Sequence, residues 1–557
     1  MPVPAASIQR RREGPLGFPS SSYEQAREGF RWRIPPRFNI GTAVCDVWAE
    51  RAPGQPAIIE RELNGAIHPW SFGQLRDGSN RLANLLRKRG ASPGDRVAIL
   101  LPQRFETVLA HLATYKLGCI AVPLFTQFGT AALKHRLHDS GASLLVTDEA
   151  RRPVIESLRA DLPMLRGIEY VDGPHGERSL LQRLAEFPAS FTVRDTAADD
   201  PALLIYTSGT TGASKGALHA HRVLLGHLPG VEMSHGGVPQ PGACMWTPAD
   251  WAWIGGLLDV LLPALHWGVP VVACRFPKFD PVAAFELLAD CQVTHTFLPP
   301  TALRIMKSVV APRARWPLAL RSIASGGESL GAPMLEWGRR ELGITINEFY
   351  GQTECNMLVS SCSEWFEPVP GMLGKAVPGH EVVVLGADGA PAAPGVLGEI
   401  AVRRPDPVMF LGYWNAAAPT RAKFRGEWLL TGDMGIVEEG GFIRFVGRAD
   451  DVITSGGYRI GPAEIEDCLS RHGAVQAAAV VGVADEIRTE SVVGFIVLRS
   501  GFEPTVSLSD ELQQHVAAQL GPYLRPRLIR YVTELPQTTT GKVMRNRLRE
   551  MLDTASR

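Results

Sequence analysis

Residues 206–216 read Tyr206-Thr207-Ser208-Gly209-Thr210-Thr211-Gly212-Ala213-Ser214-Lys215-Gly216. The apolar run at 203–206 that leads into them predicts a buried strand. The glycines let successive backbone N–H groups converge on an anion, while the hydroxyls and Lys215 add donors and positive charge. The stretch therefore predicts a phosphate-binding loop after a strand, and the alternative is a flexible Ser/Gly linker. It is not the ordinary nucleotide P-loop, because Ser214 stands where that pattern, counted from Gly209, has its second glycine.

The composition is that of an ordinary soluble globular protein, with 45% hydrophobic and 20% charged residues. At 557 residues the chain predicts two or more domains. Lysine plus arginine and aspartate plus glutamate balance at 57 each, so no net field favours nucleic acid as a partner. No run of about eighteen apolar residues occurs, which predicts that no segment spans a membrane. The scattered cysteines, without a C-x-x-C pair, predict reduced and buried thiols.

Strand-like and helix-like segments alternate through much of the first half of the chain, which predicts an α/β fold with largely parallel sheets. We expect a poorly ordered or surface-draped arm at 1–38, because it is rich in arginine, serine and proline. Residues 39–447 are expected to form a large domain of sheets flanked by helices. Its part at about 371–447 is expected to be a β-rich subdomain, because glycine and proline become frequent there. Residues 448–451 then lead into a small α+β domain at 452–557.

The phosphate-binding loop resembles the signature Y-T-S-G-T-T-G-x-x-K-G of the adenylate-forming enzymes, which include acyl-CoA synthetases, the adenylation domains of peptide synthetases and luciferases. The resemblance covers about residues 40–550, with further motifs in the family's order. It is strongest to the medium-chain acyl-CoA synthetases and the acetyl-CoA synthetase-like group. The resemblance implies that the loop binds the phosphates of ATP through Thr207, Ser208, Gly209, Thr210, Thr211, Gly212 and Lys215.

Residues 347–354 read N-E-F-Y-G-Q-T-E and follow a predicted strand that ends at Asn347. An aromatic ring can stack on a base and a carboxylate can hold magnesium, although a turn with an exposed glutamate explains the pattern equally well. The segment resembles the family's Y-G-Q-T-E motif, which implies that Thr353 and Glu354 are catalytic and that Glu354 coordinates Mg²⁺. The resemblance assigns the other nucleotide contacts of the motif to Glu348, Phe349, Tyr350, Gly351 and Gln352. Gly327 and Glu328 resemble the family's adenine-side turn, for which a plain β-turn is nearly as good an account.

Two further motifs flank the predicted domain boundary. Asp433 closes a T-G-D element, and a carboxylate can accept both hydroxyls of a ribose, although an aspartate in a turn is common. The resemblance favours ribose binding by Asp433. Residues 447–451 read as a charged linker, and the family uses this segment as a hinge. The resemblance then implies that Arg448 contacts the nucleotide and that Asp450 takes up the change in backbone angles.

The small domain carries the motifs for the second substrate. Residues 456–462 resemble the S-G-Y-R-I-G-P run of the medium-chain synthetases. The resemblance assigns CoA binding to Gly456, Gly457, Tyr458 and Arg488, and nucleotide binding to Arg459. Thr489 and Val493 depart from the glycine and the lysine that are usual at these positions. As a hypothesis, the missing positive charge toward the CoA 3′-phosphate comes from Arg525, Arg527 or Arg530.

Lys542 stands in a P-x-T-x-x-G-K segment that resembles the family's C-terminal signature. An isolated lysine before a helix is usually a solvated residue, but the resemblance implies that Lys542 is catalytic. It would stabilise the negative charge that spreads over the carboxylate and the α-phosphate. Trp253, Gly255 and Gly256 are candidates for the acyl pocket, with core packing as the equal alternative.

These patterns predict an ATP-dependent carboxylic acid–CoA ligase that forms an acyl-adenylate and releases pyrophosphate and AMP. The expected acid is a short- to medium-chain fatty acid. The alternatives are an aryl-CoA ligase, a stand-alone adenylation enzyme that loads a carrier protein, and a nucleotide-binding regulator with a decayed site. We expect ATP, Mg²⁺, CoA and a small carboxylic acid as ligands, with no nucleic acid and a cytoplasmic location. The alternative of a homodimer stays open.

Overall fold

The computed structural model describes residues 14–18, 22–173, 178–207, 214–328, 330–455, 458–485, 489–522, 524–538 and 542–555. In these ranges, no helix combines the length and the apolar character that crossing a membrane requires. The strands run in chain order as follows: β1 (Pro56–Arg61), β2 (Ile67–Ser71), β3 (Arg96–Leu100), β4 (Ile120–Pro123), β5 (Leu144–Thr147), β6 (Gly167–Tyr170), β7 (Pro201–Tyr206), β8 (Gly216–Ala220), β9 (Met245–Trp246), β10 (Val271–Ala273), β11 (His295–Phe297), β12 (Ser322–Gly326), β13 (Ile346–Gln352), β14 (Cys355–Ser360), β15 (Met372–Ala376), β16 (Val382–Leu385), β17 (Leu397–Arg403), β18 (Gly412–Tyr413), β19 (Phe424–Arg425), β20 (Trp428–Val437), β21 (Ile443–Arg448), β22 (Ile453–Ser455), β23 (Tyr458–Ile460), β24 (Val475–Asp485), β25 (Thr489–Leu498) and β26 (Leu528–Tyr531).

The helices connect these strands and cover the sheets. They are α1 (Tyr23–Gly29), α2 (Val47–Arg51), α3 (Phe72–Lys88), α4 (Phe105–Lys116), α5 (Thr130–Ser140), α6 (Arg152–Ser157), α7 (Leu180–Leu184), α8 (Val223–Ser234), α9 (Ile254–Gly256), α10 (Leu262–His266), α11 (Pro281–Asp290), α12 (Pro300–Met306), α13 (Pro312–Arg315), α14 (Ala332–Trp337), α15 (Ala417–Ala422), α16 (Pro462–Ser470), α17 (Val506–Leu520) and α18 (Arg545–Ala555). Short π-helical turns occupy Thr42–Asp46, Leu257–Leu261 and Gly338–Leu342.

Three sheets organise the described part of the chain. The first has the order β16-β17-β20-β21-β15-β14-β13-β12-β11-β9-β10-β1-β2, and its central run from β13 to β1 is parallel. The second has the order β18-β8-β7-β4-β3-β5-β6 and is parallel from β7 to β6. The third, β23-β22-β25-β24 with β26 beside β25, belongs to the small domain. The predicted fold class is confirmed.

The sheets place the candidate motifs at the carboxyl ends of parallel strands. The phosphate-binding loop follows β7, Gly327 follows β12 and Thr353 follows β13. Loops in these positions bind ligands in open α/β sheets. A core cluster that includes Trp48, Tyr115 and Leu203 joins the two large sheets. The small domain has a core of its own between α16, α17 and its sheet.

The N-terminal arm is more ordered, in its described residues, than the sequence analysis expected. Leu16 and Tyr23 are 4% exposed, and the Tyr23 hydroxyl donates to the carbonyl of Ala376 at 2.9 Å. Helix α1 begins with a capping box at Ser22. In residues 14–18 and 22–38 the described contacts fit the surface-draped alternative rather than a poorly ordered arm, because Leu16 and Tyr23 pack against the large domain.

Two motifs lie within strands rather than after them. β13 continues beyond Asn347 as far as Gln352, because Phe349 and Tyr350 pair with β14. β20 continues through Asp433, which pairs with Arg448 of β21. The strands of residues 371–447 also join the first large sheet through the pairing of β15 with β14.

Candidate active site

The base of the phosphate-binding loop is closed by backbone contacts between its two ends. The N–H of Thr207 donates to the carbonyl of Lys215 at 2.9 Å, and the Thr207 hydroxyl lies 3.3 Å from the same oxygen. The antiparallel pair of β7 and β8 leads the chain into and out of the loop. Ser208, Gly209, Thr210, Thr211 and Gly212 lie outside the described residues, so their role stays a prediction.

Tyr413 connects this loop to Glu354. Its strand β18 pairs with β8, and its ring centroid lies 5.4 Å from Nζ of Lys215. The Tyr413 hydroxyl donates to Oε1 of Glu354, which is 8% exposed. Burial and the nearby Glu354 carboxylate raise the pKa of Tyr413. The structure therefore brings the loop's lysine and the candidate metal ligand to the same tyrosine. Sequence reasoning did not find Tyr413.

Asp433, Tyr350 and Arg448 form one hydrogen-bonded group on the neighbouring strands. The Tyr350 hydroxyl donates to Oδ2 of Asp433 at 2.5 Å, and Nη1 of Arg448 donates to Oδ1 at 3.0 Å. Asp433 is 5% exposed, and burial together with this carboxylate raises the pKa of Tyr350. Gly432 has φ +78°, and a Cβ there would lie 3.1 Å from Nη2 of Arg448. Glycine at this position therefore leaves room for the guanidinium.

Lys423 is a second residue that sequence reasoning missed. Its Nζ donates to Oε1 of Gln352 at 3.1 Å and to the carbonyls of Leu430 and Thr431 at 3.2 Å. Burial lowers its pKa, while the Glu354 carboxylate acts in the opposite direction. The sequence around Lys423 has no distinctive pattern, and its side-chain partner Gln352 lies 71 residues away in the chain.

In the adenine-side turn, the space beside Gly327 is free, whereas the carboxylate of Glu328 already has hydrogen-bond partners. Gly327 has φ +93°, which favours glycine, and no atom lies within 4 Å of its Cβ position. The Glu328 carboxylate instead accepts from Thr301 Oγ1 and Arg304 Nη1, both at 2.8 Å. Glu348 is buried, and Oε1 of its carboxyl accepts from the N–H of Leu330 at 3.3 Å. Burial raises the pKa of Glu348 to about 8.

The candidates for the acyl pocket lie at the start of α9. The Trp253 ring packs against Phe125 and Phe128, with centroids 5.6 and 5.8 Å away. A Cβ on Gly255 would lie 2.9 Å from the Phe297 ring, and one on Gly256 would lie 2.4 Å from the carbonyl of Asp250. Burial raises the pKa of Asp250 to about 7.

The candidate hinge is connected to both domains. Oδ1 of Asp450 lies 3.6 Å from Nε of Arg448, which bonds to Asp433 of the large domain, and the next residue, Asp451, pairs with Arg545 and Arg549 of α18 at 3.5 and 3.0 Å. Gly456, Gly457 and Arg488 lie outside the described residues. Tyr458 and Arg459 form part of β23, and only their backbone is described.

Lys542 is exposed and lies at the end of a short backbone pairing. Its N–H donates to Thr538 Oγ1 at 3.2 Å, and its carbonyl accepts from the N–H of Thr538 at 2.8 Å. Within the described ranges, no contact joins its side chain to Thr353 or Asp433. The structure therefore brings together the candidates of the large domain and leaves Lys542 apart from them.

Comparisons with known proteins agree with this arrangement. The sequence profile of the family described as "AMP-binding enzyme" matches residues 45–414, and that of the "AMP-binding enzyme C-terminal domain" matches residues 464–542. The human acyl-coenzyme A synthetase ACSM2B, mitochondrial, is 34% identical over 535 residues, which is 93% of this chain and 91% of that protein. The chain therefore belongs to the AMP-binding enzyme family, in which its relatives are acyl-CoA synthetases.

Solved structures support the same class. The crystal structure of a Brucella canis acyl-CoA synthetase is 32% identical, with a TM-score of 0.73 over 96% of this chain and 100% of that one. The anthranilate CoA ligase AuaEII in complex with anthranoyl-AMP is 28% identical, with a TM-score of 0.83 over 94% of this chain and 99% of that one. The predicted activity, an AMP-forming acid–CoA ligase that uses ATP and CoA, is confirmed at the level of the class.

Proposed function

We propose that the enzyme activates a short- to medium-chain fatty acid. A carboxylate oxygen attacks the α-phosphorus of ATP, the bond to pyrophosphate breaks, and an acyl-adenylate forms. The CoA thiol then attacks the acyl carbon, loses its proton and displaces AMP. The observation that carries the adenylation step of this proposal is the group of Asp433, Tyr350 and Arg448, which has acceptors for a ribose next to the Thr353–Glu354 turn.

The acceptor count supports ribose binding by Asp433. A carboxylate has about four acceptor positions. Tyr350 and Arg448 use two of them, which leaves two for the two hydroxyls of a ribose. Thr207, Lys215 and the loop between them would hold the β- and γ-phosphates, and Thr353 the α-phosphate.

Magnesium fits the donor set near Glu354. Among the described residues there is no group of three or more His, Cys, Asp or Glu side chains that could hold a metal ion. Mg²⁺ is usually bound by one or two carboxylates together with substrate phosphates, so a single buried carboxylate is sufficient on the protein side. Glu354 would hold the ion, which supplies positive charge to the phosphates. Tyr413 orients the carboxylate through its hydroxyl.

The separation of Lys542 from the large-domain residues supports domain alternation as part of the proposal. In this account residues 39–447 and 452–557 are the two bodies, and rotation occurs at residues 448–451 around Asp450. One orientation brings Lys542 to the reacting carboxylate and α-phosphate. The other brings Gly456, Gly457 and Tyr458 to the adenylate for thioester formation, with Arg459 at the nucleotide. Arg488 and the exposed Arg527 and Arg530 would contact CoA.

The test is acid-dependent pyrophosphate release with ATP and Mg²⁺ across acetate, butyrate, isobutyrate, octanoate and benzoate, with the thioester measured in parallel. We expect release that depends on a short or medium aliphatic acid, followed by acyl-CoA. A preference for benzoate would instead support an aryl-CoA ligase, the candidate that the likeness to AuaEII favours. Adenylate formation with a carrier protein but not with CoA as acceptor would support a stand-alone adenylation enzyme. Fractionation of cells would test the proposed cytoplasmic location.

A further inference from the structure

A buried carboxylate lies beside the candidate acyl pocket. Asp259 is 3% exposed and belongs to the π-helical turn Leu257–Leu261, a kind of turn that is frequent at functional sites. Its Oδ1 accepts from Nδ2 of Asn356 at 2.7 Å and lies 3.9 Å from Nε2 of His227. Burial raises the pKa of Asp259 well above its usual range. In the described part of the chain, Asn356 is its one hydrogen-bond donor.

The two polar side chains lie next to two glycines, of which the sequence analysis assigned Gly255 to the acyl pocket and Gly351 to the nucleotide. A Cβ on Gly255 would lie 3.4 Å from Oδ2 of Asp259, and a Cβ on Gly351 would lie 2.4 Å from Oδ1 of Asn356. Neither glycine is fully buried. The residue next to each oxygen is therefore a glycine, which places no side chain over it.

An aliphatic acyl chain has no polar group that could form a hydrogen bond with Asp259 or Asn356. A buried carboxylate without a cation costs several kcal/mol unless hydrogen bonds compensate it. The bond between Oδ1 and Asn356 is sufficient for a structural role, in which Asp259 joins the π-helical turn to β14. That role does not require the position of Oδ2 beside Gly255. Sites that place a buried polar group against a substrate hydroxyl or amine discriminate strongly against the analogue that lacks it.

We propose that Asp259 and Asn356 form the floor of the acyl pocket and select acids that carry an amino or hydroxyl group beyond the carboxyl. The inference rests on the proposed function and narrows its substrate class to polar-substituted acids. Asp259 forms a hydrogen bond with the substrate group through Oδ2, and Asn356 fixes the carboxyl through Oδ1. His227 lies behind them, with Nδ1 2.7 Å from the carbonyl of Val223.

The test compares matched acids in the pyrophosphate-release assay: propionate with 3-aminopropionate, butyrate with 4-aminobutyrate and 4-hydroxybutyrate, and benzoate with 2-aminobenzoate and 2-hydroxybenzoate. We expect the wild type to prefer the substituted member of at least one pair about tenfold or more in kcat/KM. Asp259→Leu should reverse that preference, measured as the ratio of kcat/KM between the two members of a pair. Asp259→Asn, which keeps shape and polarity, should reduce the preference less. Thermal melting shows whether each variant is folded.

The outcomes separate this inference from the proposed function. Wild-type preference for the plain acid in every pair would overturn the inference while the ligase activity stands. An equal loss on both members of a pair in Asp259→Leu and in Asp259→Asn would show a structural role only, and would also overturn it. If no acid in the panel released pyrophosphate, the proposed function itself would fail, and the inference with it.

Discussion

Asp433 and Arg448 face each other across the antiparallel strands β20 and β21, and Nη1 of the arginine donates to Oδ1 of the aspartate at 3.0 Å. Arg448 is the last residue of β21 and lies two residues before Asp450. One hydrogen bond therefore connects the proposed ribose site to the proposed hinge. A nucleotide that binds to Asp433 would therefore also restrain Arg448, which lies just before the small domain.

Asp433→Asn should raise the KM for ATP about tenfold to a hundredfold, because hydrogen bonds to a charged acceptor contribute about 1.5–3 kcal/mol each. The amide would also offer a donor where the Tyr350 hydroxyl already donates. Pyrophosphate release at varied ATP measures the change. Asp388→Asn, in an exposed turn, is the matched control and should leave the KM unchanged. An unchanged KM in Asp433→Asn would remove this residue from the nucleotide site.

Much of this site could be predicted from local sequence. The glycine-rich loop, Tyr350, Glu354, Asp433 and Arg448 each lie in a short motif, and the structure brings the described ones together. Tyr413 and Lys423 could not be found in this way. Tyr413 is positioned by the pairing of β18 with β8, and Lys423 contacts Gln352 of β13. These contacts join segments that are far apart in the chain, so no local pattern encodes them.

The same limit applies to the strand ends and to the acyl pocket. β13 runs beyond Asn347 because of its pairing with β14. Asp259 and Asn356 are 97 residues apart in sequence, and only packing brings their side chains together.

Glu354→Gln should raise the Mg²⁺ concentration for half-maximal pyrophosphate release by about tenfold or more, because the neutral amide is a weaker ligand for a hard cation. Tyr413→Phe removes the hydroxyl that donates to Oε1 and should produce a smaller shift in the same direction. A titration with Mg²⁺ at saturating ATP measures both. Glu364→Gln changes an exposed carboxylate and serves as the control. Identical Mg²⁺ curves for Glu354→Gln and the wild type would contradict the assignment of the ion to Glu354.

Lys542→Ala should lower the rate of adenylate formation by about two orders of magnitude or more, because it removes positive charge where negative charge spreads in the transition state. The variant should still convert a supplied acyl-adenylate and CoA into thioester. Arg547→Ala, which removes another exposed cation of the same segment, should affect neither half-reaction. Loss of both half-reactions in Lys542→Ala would contradict the domain-alternation account.

Glu232 should make folding stability dependent on pH. It is 1% exposed, and Oε2 of its carboxyl accepts from the N–H of Leu16 at 2.7 Å. Burial raises its pKa to about 8, so between about pH 4.5 and 8 the folded state holds a proton that the unfolded state releases. The contribution of Glu232 to the free energy of unfolding is therefore complete at low pH and is lost as the pH rises toward 8.

Glu232→Gln removes this titration, so its melting temperature relative to the wild type should increase steadily from pH 5 to pH 8.5. Each unit of pKa shift corresponds to about 1.4 kcal/mol. Glu24→Gln, on the exposed side of the N-terminal arm, should follow the wild-type pH profile. Parallel profiles for Glu232→Gln and the wild type would show that Glu232 does not hold a proton in the folded state at neutral pH.

Thr489→Gly should stabilise the small domain. Thr489 begins β25 with φ +73°, a left-handed conformation that a β-branched residue adopts only with strain. Relief of about 1–3 kcal/mol of strain exceeds the entropy cost of glycine, which is about 0.5–1 kcal/mol. Thr192→Gly, at an exposed threonine without positive φ, should destabilise instead. Melting followed by a probe in the small domain measures both changes. A lower melting temperature in Thr489→Gly would mean that contacts of the threonine side chain outweigh the backbone strain.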